Sequence, residues 1–172
     1  ILPPLELYRG GVANETAFKV IDANVRMPDA TIGDLRAQIA GCRTGERRLQ
    51  TIAQRYGNQH LLALSQASLD YAETYARRAI TEIPDGVSEA SILVEDDISS
   101  EEPFRLHVKI TVSGDEIEVD VSGSDDQRPF AFNNPESATI SMSHYAVKCV
   151  TTPELPQNES CVRPINVKMR WG

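Results

Sequence analysis

The sequence predicts an α+β fold: a long antiparallel helical hairpin, then an antiparallel β-meander and a further helix. From Thr31 to Ile83 the apolar residues recur at alternating spacings of three and four, the period of a helix with one buried stripe. From Phe104 to Val121 the period falls to two, as in half-buried strands. The change follows Pro84-Asp85-Gly86. It divides the chain into an N-terminal segment with the hairpin, residues 1–86, and a sheet with one helix and a proline-stiffened loop, residues 87–172.

Residues 1–11 read as extended, because Pro3-Pro4 blocks helix and Leu5 and Leu7 alternate with Glu6 and Tyr8 before Gly10-Gly11. Residues 14–26 carry a short amphipathic helix that Met27-Pro28-Asp29 stops. The first long helix is expected over Thr31–Tyr56. Thr31 and Asp34 have the spacing of a capping box, and Gly57 suits a C-cap. Gly41 and Gly45 weaken its middle by about 1 kcal/mol each relative to alanine, or let another backbone or a ligand approach. The second helix is expected over Gln59–Ile83 with Asn58 as N-cap. Small residues such as Ala72 and Ala76 would line the seam between the two helices.

In the second half, Phe104, Leu106, Val108, Ile110 and Val112 face one way and Arg105, His107, Lys109 and Thr111 the other. Ser113-Gly114-Asp115 turns the chain, and Ile117, Val119 and Val121 resume the alternation, which predicts a β-hairpin. A strand near Ala90–Glu95 adds a third member. Arg105 and Lys109 could pair with Glu116, Glu118 and Asp120 across the strands. Residues 122–136 are loop, Ser137 can cap a helix over Ala138–Val150, and Ile165, Val167 and Met169 suggest a last strand.

The net charge of −8 excludes non-specific nucleic-acid binding, which needs a cationic face. No apolar run approaches the length of a membrane span. Three scattered cysteines read as reduced thiols in a cytoplasmic protein. Apolar residues make up 41% and aromatic residues 6%, which permits a thin core. The opening Ile-Leu-Pro-Pro reads as the start of a piece excised from a longer protein.

No phosphate-binding glycine loop, metal-ligand histidine pair or nucleophile elbow is present. His60, His107 and His144 lie far apart in sequence. Asp96-Asp97 and Asp125-Asp126 could bind a hard cation, although adjacent loop carboxylates are usually just solvated. Two loops carry more chemistry. Phe132-Asn133-Asn134-Pro135 precedes a helix N-terminus, where free amides and the dipole favour an anion. The loop from Pro156 to Pro164 holds Asn158 and Arg163, and a guanidinium can offer two parallel donors. The bland alternative is that these asparagines bond their own backbone and Arg163 pairs with Glu159.

ANVRMPDATIGDLRAQIAGCRTGERRL, RYG, IPDG, DVSGS, FNNP and PQNESCVRPI occur in this order. Together they resemble the B subunit of ATP-dependent hydantoinases, a module also found in 5-oxoprolinases and in acetone and acetophenone carboxylases. The resemblance runs from about Pro3 to Val167. It departs from the pattern at Ser160, where the family usually has glycine, and at the closing Lys168–Gly172.

The resemblance implies a cytoplasmic enzyme of two subunits or fused halves. An ATP-binding A-type half activates a carbonyl or carboxylate, and the B half works on the phosphorylated intermediate of a small cyclic amide. A divalent metal is implied for the family's N-terminal part, upstream of Ile1, so no cofactor is expected in this fragment and no activity from it alone. The expected catalytic residues are Asp34, Asn134 and Arg163. The expected substrate-binding residues are Gln38, Asn133 and Asn158, and no metal ligand is expected. Asp34 and Gln38 share one face of the first long helix, four residues apart. An ATP-dependent ketone carboxylase and a non-catalytic scaffold or assembly module are the alternatives to a cyclic-amide hydrolase.

Overall fold

The computed structural model describes residues 4–95, 102–128 and 132–170. It has the expected α+β composition, in two compact units that divide at Leu62, inside the second long helix. The pattern change at Gly86 therefore marks a change of element, and the contacts regroup earlier in the chain.

The first unit opens on a small hairpin, β1 (Tyr8–Arg9) and β2 (Val12–Ala13), closed by Gly10 and Gly11 at φ 56° and 83°. Only glycine adopts that pair of positive φ angles without steric cost. Asn14 caps α1 (Glu15–Asn24). Its Oδ1 accepts from the Ala17 amide at 3.2 Å and its Nδ2 donates to the Glu6 carbonyl at 2.9 Å. Tyr8 meets Phe18 edge to face at 6.0 Å.

Helix α2 runs from Pro28 to Tyr56, three residues earlier than the capping box predicted. Proline's fixed φ and missing donor suit the first helical turn, so Pro28 starts the helix and Thr31 lies inside it. Met27 stands at the cap and makes no side-chain cap bond. Gly41 and Gly45 do not interrupt α2. A Cβ built at either meets nothing within 4 Å. Gly57 ends α2 at φ 83° and donates its amide to the Ala53 carbonyl at 2.8 Å.

Helix α3 (Asn58–Thr81) enters the second unit at Ala63. Both predicted long helices form, and the neighbours of Ala72 come from later in the chain. Ala72 is buried with Leu155 and Cys161 in the second unit. The sheet order is β3 (Gly86–Val94), β4 (Phe104–Ser113), β5 (Glu116–Asp120) and β6 (Ile165–Lys168). The first three strands form the predicted antiparallel meander, in the register Ile110↔Val119 and Ser91↔His107. β6 pairs parallel with β5, so the connection between them must cross over, and it does so through α4 (Glu136–Thr151).

Pro135, not Ser137, stands before α4, and it makes no side-chain cap bond. The core joins Ile80 of α3, Ile117 and Val119 of β5, Val147 of α4 and Ile165 of β6. Ile80 is 1% exposed, and burying such a side chain contributes roughly 2 kcal/mol. β3 is an edge strand, and none of its residues is fully buried.

Candidate functional site

In the first unit, Asp34 and Gln38 are both exposed on α2. Gln38 borders an open groove of about 380 Å³ between the β1–β2 hairpin and α2, with Tyr8, Leu35, Ile39 and Cys42 among its walls. Arg43 lies over the Tyr8 ring at 4.8 Å and closes one side. Among the described residues Asp34 makes no side-chain hydrogen bond or ion pair.

In the second unit the expected residues fall at opposite ends of α4. Asn133 and Asn134 precede its N-terminus. Asn158 and Arg163 follow its C-terminus, where Val147 and Ile165 share the core. A helix of 16 residues spans about 24 Å, so these two pairs do not form one cluster.

Asn133 staples its own loop. Its Oδ1 accepts from the Arg128 amide at 2.9 Å, and its Nδ2 donates back to the Arg128 carbonyl. Asn158 caps the 3-10 turn Ser160–Val162, accepting from the Ser160 and Cys161 amides at 3.0 and 3.1 Å. The buried Cys161 thiol donates to the Asn158 carbonyl. Arg163 donates to Glu73 of α3 at 3.0 Å and to Glu159 at 3.3 Å, which holds its guanidinium above the ordinary range. Glu73 also accepts from Arg77, and both arginines hold its carboxyl below the usual carboxylate value, Arg163 most strongly. Arg77 reaches on to Asp115 and Glu116 at the β4–β5 turn. The proline-stiffened loop is thus tied to α3 by ion pairs. Glu73 lies 90 residues from Arg163, and no sequence pattern selects it as a partner. Asn134 is exposed and, among the described residues, makes no side-chain hydrogen bond.

The DVSGS loop explains its own residue types. β5 stops at Asp120, opposite Lys109, while β4 extends further back. The amides of Arg105 and His107 are then met by side chains, Asp125 Oδ2 at 2.7 Å and Ser124 Oγ at 3.0 Å. Ser124 Oγ donates on to the His107 carbonyl, and the Asp125 amide to the Arg105 carbonyl. The loop acts as a continued strand made partly of side chains. Asp120 accepts from the Ser122 hydroxyl and from its amide, at 2.8 Å for the amide, and pairs with Lys168 at 3.3 Å. These bonds hold its carboxyl down at about 2. Asp120 therefore pairs with β6 and not with Lys109 as the cross-strand reading expected.

Gly123 has no room for a side chain, since a Cβ there would stand 2.4 Å from His107 Cδ2. The His107 ring is held on its other side by Ser91 Oγ, 2.8 Å from Nδ1, and is half-buried.

Asp125 pairs with Arg105 and Asp126 with Arg170, so both carboxylates considered for a cation already face guanidinium groups. Asp96 and Asp97 lie outside the described residues. Among the described residues no group of three or more His, Cys, Asp or Glu could hold a metal ion. No helix among them is long and apolar enough to cross a membrane.

The chain belongs to the hydantoinase B/oxoprolinase family, whose model matches residues 1–172. It is 32% identical over 167 residues to an uncharacterized protein of Methanocaldococcus jannaschii, covering 97% of this chain and 29% of that one. It is 26% identical to the caprolactamase subunit beta of Pseudomonas jessenii over 98% of this chain and 29% of that protein. The crystal structure of the ATP-dependent caprolactamase from that organism superposes with a TM-score of 0.84 at 25% identity, over 98% of this chain and 29% of that one. An acetone carboxylase structure shares the fold, with a TM-score of 0.80 at 12% identity over 94% of this chain and 23% of that one. The chain thus spans under a third of the length of these relatives.

Proposed function

We propose that this chain is part of the B-type subunit of a cytoplasmic, ATP-dependent hydrolase that opens small cyclic amides together with an ATP-binding A-type partner. The observation that carries the reading is the match of residues 1–172 to the hydantoinase B/oxoprolinase family. The likeness to a caprolactamase over 98% of the chain supports a cyclic amide as substrate class. The carboxylase likeness is one of fold alone and leaves ketone carboxylation as the second reading.

Of the six expected site residues, Asn134 is best placed to touch substrate. It is exposed at the start of α4, where amides and dipole favour a developing negative charge. Asn133, Asn158 and Arg163 act as positioning residues that hold the two loops through the bonds described above. The divalent metal that the family resemblance implies is placed in another part of the subunit, so none of the residues named here is given a metal-binding role.

The test pairs the complete B subunit with its A partner and measures ADP release on adding N-methylhydantoin, 5-oxoproline or caprolactam. ADP release that depends on a cyclic amide is expected. Release that depends on a ketone and bicarbonate, with none from any cyclic amide, would overturn the reading. Asn134→Ala is expected to lower turnover with the melting temperature unchanged. Arg163→Lys, which loses the fork that joins Glu73 to Glu159, is expected to lower the melting temperature and recover turnover on cooling.

A further inference from the structure

β3 is an edge strand without an edge strand's usual protection. The Arg105 and His107 amides are met from the β5 side, by Asp125 and Ser124 of the loop that follows β5. Backbone groups alternate sides along a strand, so Leu106, Val108 and Ile110 present theirs to β3. Opposite them stand Ile92, Ala90 and Ser88. The residues between, Val87, Glu89, Ser91 and Leu93, therefore turn their amides and carbonyls away from β4. Among the described residues these outward groups have no backbone partner.

Edges that stay in water are short, bulged, or marked by lysine or proline. β6, at the other side of the sheet, is four residues long and ends on Lys168. β3 has nine residues, no lysine, arginine or proline, and an unbroken register from Gly86↔Val112 to Val94↔Phe104. Its one charge is Glu89. Val87 and Leu93, 58% and 70% exposed, share a face at the two ends of the outward set. Such a strand is made to be paired.

We propose that β3 is an inner strand of the complete B-type subunit: an extended segment from the part of that subunit outside residues 1–172 pairs along Val87–Leu93. The chain spans under a third of its relatives' length, so most of the subunit lies outside it. The pairing depends on that family length and not on the reaction proposed above. A segment of the same subunit reaches the edge as the subunit folds. A separate subunit or a second copy would leave β3 open until it docked, and an open edge of this kind pairs with any strand it meets. The segment is expected to carry apolar residues against Val87 and Leu93 and polar ones against Glu89 and Ser91.

Hydrogen exchange resolved to single amides, on the complete B-type subunit alone, tests the pairing. The inward amides of Ser88, Ala90 and Ile92 are the internal standard. The outward amides of Val87, Glu89, Ser91 and Leu93 are expected to be protected to within about tenfold of them, at every subunit concentration and without the A-type partner. Outward amides that exchange more than about tenfold faster than inward ones would overturn the proposal. So would protection that develops only on concentrating the subunit or on adding the partner. Photo-cross-linking identifies what covers the edge. With p-benzoylphenylalanine in place of Val87, capture of a peptide of the same subunit from outside residues 1–172 is expected. Capture of the A-type partner, of a second copy or of residues 1–172 alone would overturn the proposal as well.

Discussion

Gly123→Ala puts the account of the DVSGS loop to its hardest test. The added methyl would stand 2.4 Å from His107 Cδ2 and 3.1 Å from Cγ. Ordinary carbon contacts begin near 3.5 Å, so the ring must withdraw by about 1 Å. Straight withdrawal closes on Ser91 Oγ, 2.8 Å away on its other side, so the ring must turn and give up that hydrogen bond, which costs about 1 kcal/mol. Crowding of this kind adds about 1–3 kcal/mol. The expected loss is therefore at least about 2 kcal/mol, local to the end of β4, where the Arg105 and His107 amides depend on the loop's side chains. Native-state hydrogen exchange of the peptide around residues 104–112 reads it directly, and about 2 kcal/mol corresponds to a roughly 30-fold loss of protection. His107→Ala should absorb the effect, so that adding Gly123→Ala to it changes little. Unchanged protection in Gly123→Ala, or effects that simply add in the double variant, would refute the reasoning.

Ser160 Oγ is fully buried and, among the described residues, has no hydrogen-bond partner, so Ser160→Ala is expected to raise stability by about 1 kcal/mol, measured as a higher melting temperature. The depressed Asp120 carboxyl makes the β5–β6 junction acid-sensitive. Its contribution is present above the ordinary carboxylate value of 3.8 and is lost as pH falls towards about 2. After solvent screening this is worth about 1 kcal/mol. Asp120→Asn should flatten the acid limb of the stability profile between pH 4 and 2 and leave neutral turnover intact. Asn133→Ala should release the loop at Arg128 and raise exchange there without altering exchange at β4.

Local periodicity made the helices and the β4–β5 hairpin legible, because each is decided by neighbours in sequence. The parallel pairing of β6 was not legible, since its partner lies 48 residues away and the strand is only four residues long. The start of α2 was misread because a capping-box spacing at Thr31 competed with Pro28, and proline's fixed φ prevailed. The small residues of α3 were assigned to a helix–helix seam because spacing shows that a face is buried but not what buries it. Ala72 went to Leu155 and Cys161.

For the two polar loops the sequence carries both readings of their residues. In the structure Asn133 and Asn158 bond within their own loops, and Arg163 pairs with the expected Glu159 and with Glu73 as well. The Ser91–His107 pair was missed because it depends on strand register, which the sequence pattern leaves open to a shift of two.

The most direct test of the central claim is the identity of the product formed by the complete A and B subunits with ATP and a cyclic amide. Mass spectrometry should find the ring opened by addition of one water, with ADP formed in step. A product carrying an added carboxylate from bicarbonate, with the cyclic amide returned intact, would contradict the account.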